Sequence, residues 1–266
     1  MKGLLFGVCG LVASLAAAAD DGFAIRATCA FDVYSAYISR GKVLEDRPIQ
    51  ANAVDVHADL SRYGRFGFSH WSYSSLSGRF QDSYRRFIPE TDWDVYYGYD
   101  WEFAEGYSLD TELKVYWALC HGGRPKSGHT DYEWRMKETL TTPYGTAYCV
   151  YRYNFDPIQY SYFQLGLKRR FAAAEWLKIV PHAYIDLGDS RCRKRRFGAL
   201  PDGGRYGEGG VSMAGELIFE FPLAERVTLT AMVGQFGVVS RRGRRNLHGH
   251  NRRDLTYGSV GVSFEF

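Results

Sequence analysis

The chain has 266 residues, of which 16% are aromatic and 24% are charged, and its formal net charge is +3. Beyond the N-terminal segment, no stretch approaches the roughly 18 consecutive apolar residues that a transmembrane helix needs. The sequence therefore disfavours a membrane protein built from helices. It leaves a soluble exported protein and a membrane β-barrel open.

The N-terminal segment has the layout of a cleavable secretory signal. One cation, Lys2, precedes an apolar stretch, and a run of small residues ends at Ala19, directly before Asp20. This order is typical of a segment that is removed during export. We therefore predict a signal peptide over residues 1–19 and a mature domain over residues 20–266.

Two segments show strict alternation of apolar and polar residues. In 92–103, large apolar residues occupy the odd positions and mostly acidic residues the even ones, and 107–118 repeats the pattern. A period of two over such a length indicates a β-strand with one apolar and one polar face. The same pattern predicts strands at 23–35, 50–62, 65–75, 92–103, 107–118, 130–141, 144–153, 158–170, 176–187, 209–221, 226–239 and 255–266.

The connections between these strands alternate in length. Short ones, such as the segments YG, AEG and PLAE, alternate with connections of about a dozen residues, with one exception after the seventh strand. Each strand is long enough to cross a bilayer at the tilt of a barrel, for which about 9–11 residues suffice. We therefore predict an all-β fold, a transmembrane antiparallel up-and-down barrel of about 12 strands. Its short turns would be periplasmic and its long loops extracellular, as in Gram-negative outer membranes.

Aromatic residues cluster at the predicted turns. Phe103, Tyr107, Tyr144 and Trp176 flank these turns, and the chain ends in an apolar strand that closes on Phe266. Amphipathic rings prefer the membrane interface, whereas the alternative fold, a soluble β-sandwich, would not explain so many aromatic residues on an exposed face. The last strand is similar to the signal that directs outer-membrane proteins to the barrel-assembly machinery, so we expect that machinery to bind through Phe266.

The segment 30–56, AFDVYSAYISRGKVLEDRPIQANAVDV, resembles the first hairpin of the TorF-type family of porins. The similarity consists of a strand, a Tyr-x-Ser-Arg-Gly motif that begins at Tyr37, an acidic-polar loop, and a Pro-x-Gln motif that begins at Pro48. It covers about the first third of the chain. The resemblance implies a small barrel that acts as a porin in the outer membrane.

The polar face of the predicted strands carries charges of both signs. Such an interior either hydrates a channel or pairs into a plug, and a barrel of about 12 strands lies between filled barrels and wide channels. We predict a narrow pore rather than a filled lumen. The predicted pore-lining residues are Arg26, Asp55, Asp94, Asp100, Glu102, Asp110, Glu112, Lys114, Glu133, Arg135, Arg152, Lys178 and Glu216.

Two of the long loops, 189–208 and 240–254, are strongly basic. They hold 12 of the 33 cations and together carry a net charge of +8. Export makes a nucleic-acid partner improbable, whereas arginine forks match the phosphates of outer-leaflet lipid. We therefore predict that these loops contact lipopolysaccharide; a vestibule that collects anions is the compatible alternative. The predicted contact residues are Arg193, Arg195, Arg196, Arg241, Arg242, Arg244 and Arg245.

One pair of residues could support an enzyme instead. His70 and Ser72 share the lipid-facing side of one strand, where an imidazole could deprotonate a serine for attack on an acyl ester, as in barrel phospholipases and lipid A deacylases. The phospholipase motif continues with Asn-Gly, but Tyr73 follows here, and the asparagine expected on the next strand is missing. Glu90 could orient the imidazole, but it lies in a loop context. A lipid esterase remains an alternative.

Other catalytic and metal-binding groups are weaker candidates. Asp92, Asp94 and the His129-x-Asp131 pair lie near the outer rim, as a barrel protease would require, but such residues usually form a solvated mouth. The His248-Gly-His250 motif lacks a third ligand, and the arginines around it would repel a cation. We predict no enzymatic activity, no metal and no cofactor.

The sequence therefore predicts an outer-membrane channel for passive diffusion of small polar solutes or ions. A plugged structural or adhesive barrel, with basic loops that bind lipopolysaccharide, is the third possibility. Cys120 and Cys192 fall in loops on the same side and form the one cysteine pair placed for a bridge in an oxidising compartment. The solute, the ion selectivity and the oligomeric state do not follow from the sequence.

Overall fold

The computed structural model describes residues 24–39, 41–76, 90–120, 129–156, 159–247 and 253–266. The predicted signal peptide lies outside these residues. The described strands are β1 (Ala24–Tyr34), β2 (Tyr37–Ser39), β3 (Lys42–Glu45), β4 (Ile49–Asp59), β5 (Arg65–Ser75), β6 (Glu90–Ala104), β7 (Tyr107–Cys120), β8 (His129–Thr142), β9 (Gly145–Asp156), β10 (Tyr160–Lys168), β11 (Phe171–Ala174), β12 (Leu177–Gly188), β13 (Gly209–Ala224), β14 (Val227–Val238) and β15 (Asp254–Glu265). The described helices are α1 (Ser190–Phe197) and α2 (Arg241–Asn246).

The large sheet closes on itself and forms a barrel. Its strands are antiparallel neighbours in chain order, and β1 pairs with β4 on one side and with β15 on the other. β10 and β11 pair in succession with β12, so they are two parts of one barrel strand. Within the described residues the barrel wall therefore consists of twelve strands, with β10 and β11 counted as one, and the predicted fold class is confirmed. Closure leaves no unpaired sheet edge, as a barrel in a membrane requires.

The turns at one end are tight and are built from residues that suit them. Gly106, with φ +75°, closes the β6–β7 turn. The Thr142 hydroxyl accepts a hydrogen bond from the Tyr144 amide at 3.2 Å and donates one to the Gly145 carbonyl at 2.9 Å. Ser61–Tyr63 form one turn of 3₁₀ helix between β4 and β5. These local bonds explain why the connections at this end need so few residues.

The apolar parity of each strand lies on the outer surface. Leu113, Val115 and Val260 are each about half exposed, and so are the aromatic residues Trp101 and Phe103 near the turns. Exposure of so many large apolar side chains around a closed barrel is typical of a surface that faces lipid. Among the described residues, no helix is long and apolar enough to cross a membrane.

Three interior glycines each lie opposite a tyrosine of the next strand. In register, Gly67 faces Tyr96, Gly166 faces Tyr148, and Gly234 faces Tyr257. A Cβ atom at Gly234 would lie 2.7 Å from the Tyr257 ring, so the ring occupies the space that a side chain would take. Each tyrosine ring covers the glycine opposite it and fills the inner face of the sheet, and the glycine allows the sheet to curve there.

The first long loop contains a hairpin that the sequence analysis did not predict. Strands β2 and β3 form this inner hairpin, which pairs with no barrel strand. Its Tyr37 ring packs against Trp71 and Tyr73 of β5, with ring centroids 5.2 and 4.7 Å away. At its tip, Gly41 fits against Val211 and Ser212 of β13. The inner hairpin therefore crosses the barrel mouth from β5 to β13.

Both basic loops contain a helix, which the sequence analysis also missed. Asp189 caps α1 by accepting a hydrogen bond from the Cys192 amide at 2.7 Å, and Ser240 caps α2 in the same way through the Gly243 amide at 3.0 Å. Asn246 joins the two loops, because its amide donates to the carbonyl oxygens of Phe197 and Ala199. Basic runs with small N-cap residues are a helix signal that the high charge obscured.

A hydrophobic core fills one side of the mouth. It contains Ala36, directly before the inner hairpin, Val43 of the inner hairpin, and Phe197 and Tyr206 of the first basic loop. The barrel contributes side chains of its inner face, Val211, Phe236, Val238 and Tyr257. The inner hairpin and the basic loops thus fold together over the mouth.

Candidate functional site

The interior of the barrel contains the candidate site. Cross-strand register places every predicted pore-lining residue on the interior parity of its strand, from Arg26 on β1 to Glu216 on β13. Contacts that skip a strand identify that face as concave: the Tyr96 hydroxyl of β6 donates to Asp55 of β4 at 2.8 Å.

Four ion pairs line the side of the lumen formed by β5 to β9, and we call them the ion-pair wall. Arg65 contacts Asp110 at 2.6 Å and Lys114 lies 3.5 Å from Asp94. Arg135 pairs with Glu112, and Arg152 pairs with Glu133 at 3.1 Å. The three cations Lys114, Arg135 and Arg152 are direct register neighbours on β7, β8 and β9. Three neighbouring cations repel one another, but the acidic partner of each offsets this repulsion, so the wall can hold all three.

The opposite side, from β9 to β15, holds its acids by a different set of partners, and we call it the tyrosine wall. Glu216 accepts from the Tyr257 hydroxyl, and its other oxygen lies 2.7 Å from the His182 imidazole. The second ring nitrogen of His182 lies 2.8 Å from the Tyr148 hydroxyl. These bonds join four strands around one carboxylate.

A second acid of the tyrosine wall is fully buried. Asp186 accepts hydrogen bonds from the hydroxyls of Tyr162 and Ser212, each at 2.5 Å, and from the Gln164 amide at 3.0 Å. Hydroxyl and amide donors satisfy both of its oxygens. The tyrosine wall is therefore held by hydrogen bonds to carboxylates rather than by a series of salt bridges.

Two cavities lie along the lumen. One, of about 390 Å³, lies beneath the inner hairpin, between Tyr37 and Trp71 on one side and Arg152 and Glu216 of the barrel wall. The other, of about 520 Å³, lies at the turn end and includes Arg26 and Arg65. We call the first the hairpin cavity. Within the described residues, no cluster of His, Cys, Asp or Glu has the makeup of a metal site.

Comparison with known proteins is informative for the fold. No protein-family model matches the chain, and no curated protein is similar to it in sequence. Among solved structures, the chain is similar to the COG4313 outer membrane channel from Pseudomonas putida F1, with TM-score 0.55, 10% identity, and coverage of 94% of this chain and 97% of that one. It is also similar to the NanC porin, with TM-score 0.52, 11% identity, and coverage of 88% and 98%. The fold is that of an outer-membrane β-barrel. At these identities the similarity extends to the fold alone.

The seven arginines predicted to contact lipopolysaccharide fall into two groups. Arg193 and Arg196 serve the loop structure: Arg193 donates to the Gly207 carbonyl at 2.6 Å and to the Ser240 hydroxyl, and Arg196 is 7% exposed. Arg195 lies over the Tyr160 ring. The four arginines of α2 are exposed, and Arg244 pairs with Asp254 at 2.6 Å.

The enzyme candidates are less well placed. His70 lies on the outer face, where its Nδ1 is 3.1 Å from the Asp92 carbonyl oxygen and its ring centroid is 4.2 Å from that of Trp93. In the described hydrogen bonds, none joins the imidazole to Ser72. The side chains of Glu90, His129, Asp131 and Cys120, and the motif at His248 and His250, lie outside the described residues. The proposed Cys120–Cys192 bridge therefore remains a prediction.

Sequence reasoning missed several interior residues. Arg65 forms a salt bridge with Asp110, but it was missed because it is the first residue of its strand and lies beside a turn. Trp71, Tyr148, Tyr162 and Tyr257 face the lumen, yet aromatic residues were assigned to lipid and to the interface. For Tyr148 and Tyr162 the available signal was parity, because each shares it with a cation of its own strand, Arg152 and Lys168 respectively.

Proposed function

We propose that the chain is an outer-membrane porin-like channel of the TorF type for passive diffusion of small polar solutes. The observation that carries this proposal is the solvent accessibility of charged side chains inside a closed barrel. Asp55 is 34% exposed, and Arg65, Asp110 and Arg152 are each 24% exposed although they face the inside of a closed barrel. Paired charges that remain in contact with solvent are typical of a water-filled passage rather than of a packed plug.

The outer surface supports a membrane location. Large apolar side chains such as Phe68, Leu165 and Met213 are exposed on strands around the barrel. An outer-membrane location would rest on export by the signal peptide 1–19 and on assembly through Phe266. Both steps are part of the proposal.

Single-channel recording tests the channel. The mature chain, refolded and inserted in a planar bilayer, is expected to give discrete conductance steps. The heat-denatured chain, added to the bilayer in the same way, serves as the control and should give no steps. A folded native chain that stays silent would contradict the proposal.

A second proposal concerns the basic loops, which we infer contact the phosphates of lipopolysaccharide. The supporting observation is that Arg241, Arg242, Arg244 and Arg245 are exposed together on one short helix at the mouth. Binding to lipid A vesicles should fall when all four are replaced by glutamine. The variant Arg62→Gln, at the turn end, should bind as the native chain does. Equal binding by both variants would contradict the proposal.

A further inference from the structure

The hairpin cavity has the size and the position of a solute-binding site. Its volume of about 390 Å³ falls within the range of roughly 300–1,000 Å³ that is usual for small-molecule pockets. Ala36 and the inner-hairpin residues Tyr37, Ile38 and Ser39 line one side of it, and the remaining lining comes from the inner face of the barrel. A solute that crosses the lumen beneath the inner hairpin would meet these side chains.

The cavity is rich in aromatic rings, which make up six of its fourteen lining residues. They come from the inner hairpin and from both sides of the barrel, and several contact one another, as Tyr37 does Trp71. The six rings are those of Tyr34, Tyr37, Trp71, Tyr162, Tyr184 and Tyr257. Aromatic rings provide flat apolar surfaces, and tyrosine adds a hydroxyl at the edge.

The charges in the cavity already have partners in the wall. Arg152 is paired with Glu133 at 3.1 Å. Glu216 is held by His182 and Tyr257. The third charged residue of the lining, Asp92, also has an interaction partner within the protein. An ionic ligand would have to compete with these internal pairs, so the cavity favours a solute with no net charge.

Polar groups complete the lining. The Ser39 hydroxyl and the Gln164 carbonyl oxygen are uncharged polar groups of the lining. The hydroxyls of Tyr162 and Tyr257 donate to acids of the wall but can still accept a hydrogen bond. Arg152 has five N–H groups, more than one salt bridge uses. A ligand that fits this surface has apolar faces for the rings and hydroxyl groups around its rim. Pyranose sugars have this construction, with C–H groups on the faces of the ring and hydroxyls on its edge.

We propose that the hairpin cavity binds a neutral saccharide of one or two rings, which would be the solute class of the channel. This inference rests on the proposed channel function, but binding can be measured without conduction. Trp71 is central to the test. The chain has six tryptophans, and register places Trp71 on the interior parity, whereas Trp93, Trp101, Trp117 and Trp134 lie on the outer parity and Trp176 in a turn.

Isothermal titration of the folded barrel in detergent with D-glucose and with sucrose tests the site directly. Saturable binding of at least one sugar is expected, and Trp71→Leu should weaken it at least tenfold. The matched control is Trp117→Leu, which removes a tryptophan from the outer surface and should leave the affinity unchanged. Gel electrophoresis checks that both variants fold, because a folded barrel changes its mobility when the sample is heated.

D-glucuronate, an anionic sugar, and tetramethylammonium, a small cation, test whether the cavity prefers a charged ligand. Tighter binding of either ion than of both neutral sugars would overturn the proposal, as would sugar binding that Trp71→Leu leaves intact. A barrel that binds sucrose but conducts no current would retain the binding site and refute the channel. A barrel that conducts but binds no neutral sugar would support the channel and refute the binding site.

Discussion

The ion-pair wall and the tyrosine wall stabilise interior charge in different ways. In the first, Lys114, Arg135 and Arg152 stand side by side and each has an acidic partner. In the second, Glu216 and Asp186 are held largely by hydroxyl, imidazole and amide groups. The difference teaches that one barrel can stabilise interior acids either by matching them with cations or by surrounding them with neutral hydrogen-bond donors.

Removing the inner hairpin should have the largest effect, because both walls meet at it. Replacement of residues 36–46 by a short Gly-Ser linker removes Tyr37 from β5 and the tip from β13, and it opens the mouth between the walls. We expect a several-fold rise in single-channel conductance. Conductance equal to that of the native chain would mean that the inner hairpin does not narrow the passage.

Breaking the ion-pair wall should destabilise the barrel strongly. Glu112→Gln leaves Arg135 beside the register neighbours Lys114 and Arg152 without its acidic partner. We expect a loss on the order of 3 kcal/mol in the free energy of unfolding, measured by urea titration in lipid vesicles.

The control for that variant is a double substitution. Glu112→Gln combined with Arg135→Gln removes both members of the pair and should recover most of the lost stability. A double variant less stable than Glu112→Gln alone would show that the charges do not act as a pair.

The tyrosine wall should respond to a smaller change. Tyr257→Phe removes the hydroxyl that donates to Glu216 and leaves a carboxylate oxygen short of a donor. We expect a loss of about 2 kcal/mol in the same urea titration. Tyr144→Phe, in an exposed turn, is the matched control and should leave the free energy of unfolding within experimental error. Equal effects would indicate that the Glu216 network does not hold this wall.

The packing of the tyrosine wall can be tested with the smallest substitution. Gly234→Ala places a Cβ against the Tyr257 ring and displaces it, with an expected cost of about 1 kcal/mol. Gly215→Ala is the control, because no heavy atom outside its chain neighbours lies within 4 Å of the added Cβ. If the two substitutions cost the same, the ring is not fixed over Gly234.

The comparison of the two walls also shows how far the sequence predicts this molecule. Alternation predicts the barrel strands and places residues such as Glu112 and Arg135 on one face, because charge and period can be read directly from a segment. The tyrosine wall could not be predicted in this way. Whether Tyr257 faces lipid or lumen depends on parity, and its bond to Glu216 depends on register between strands far apart in the chain. The inner hairpin was missed because its strands have only three and four residues.

The most direct test is the current through single native channels under a salt gradient. The ion-pair wall matches its cations with acids, whereas Glu216 and Asp186 in the tyrosine wall are held largely by neutral donors. We therefore predict discrete steps with a reversal potential that shows a preference for cations, at salt high enough to screen the basic loops. A reversal potential of zero, or one that shows a preference for anions, would contradict this arrangement of charge. A folded barrel that gives no steps would contradict the channel itself.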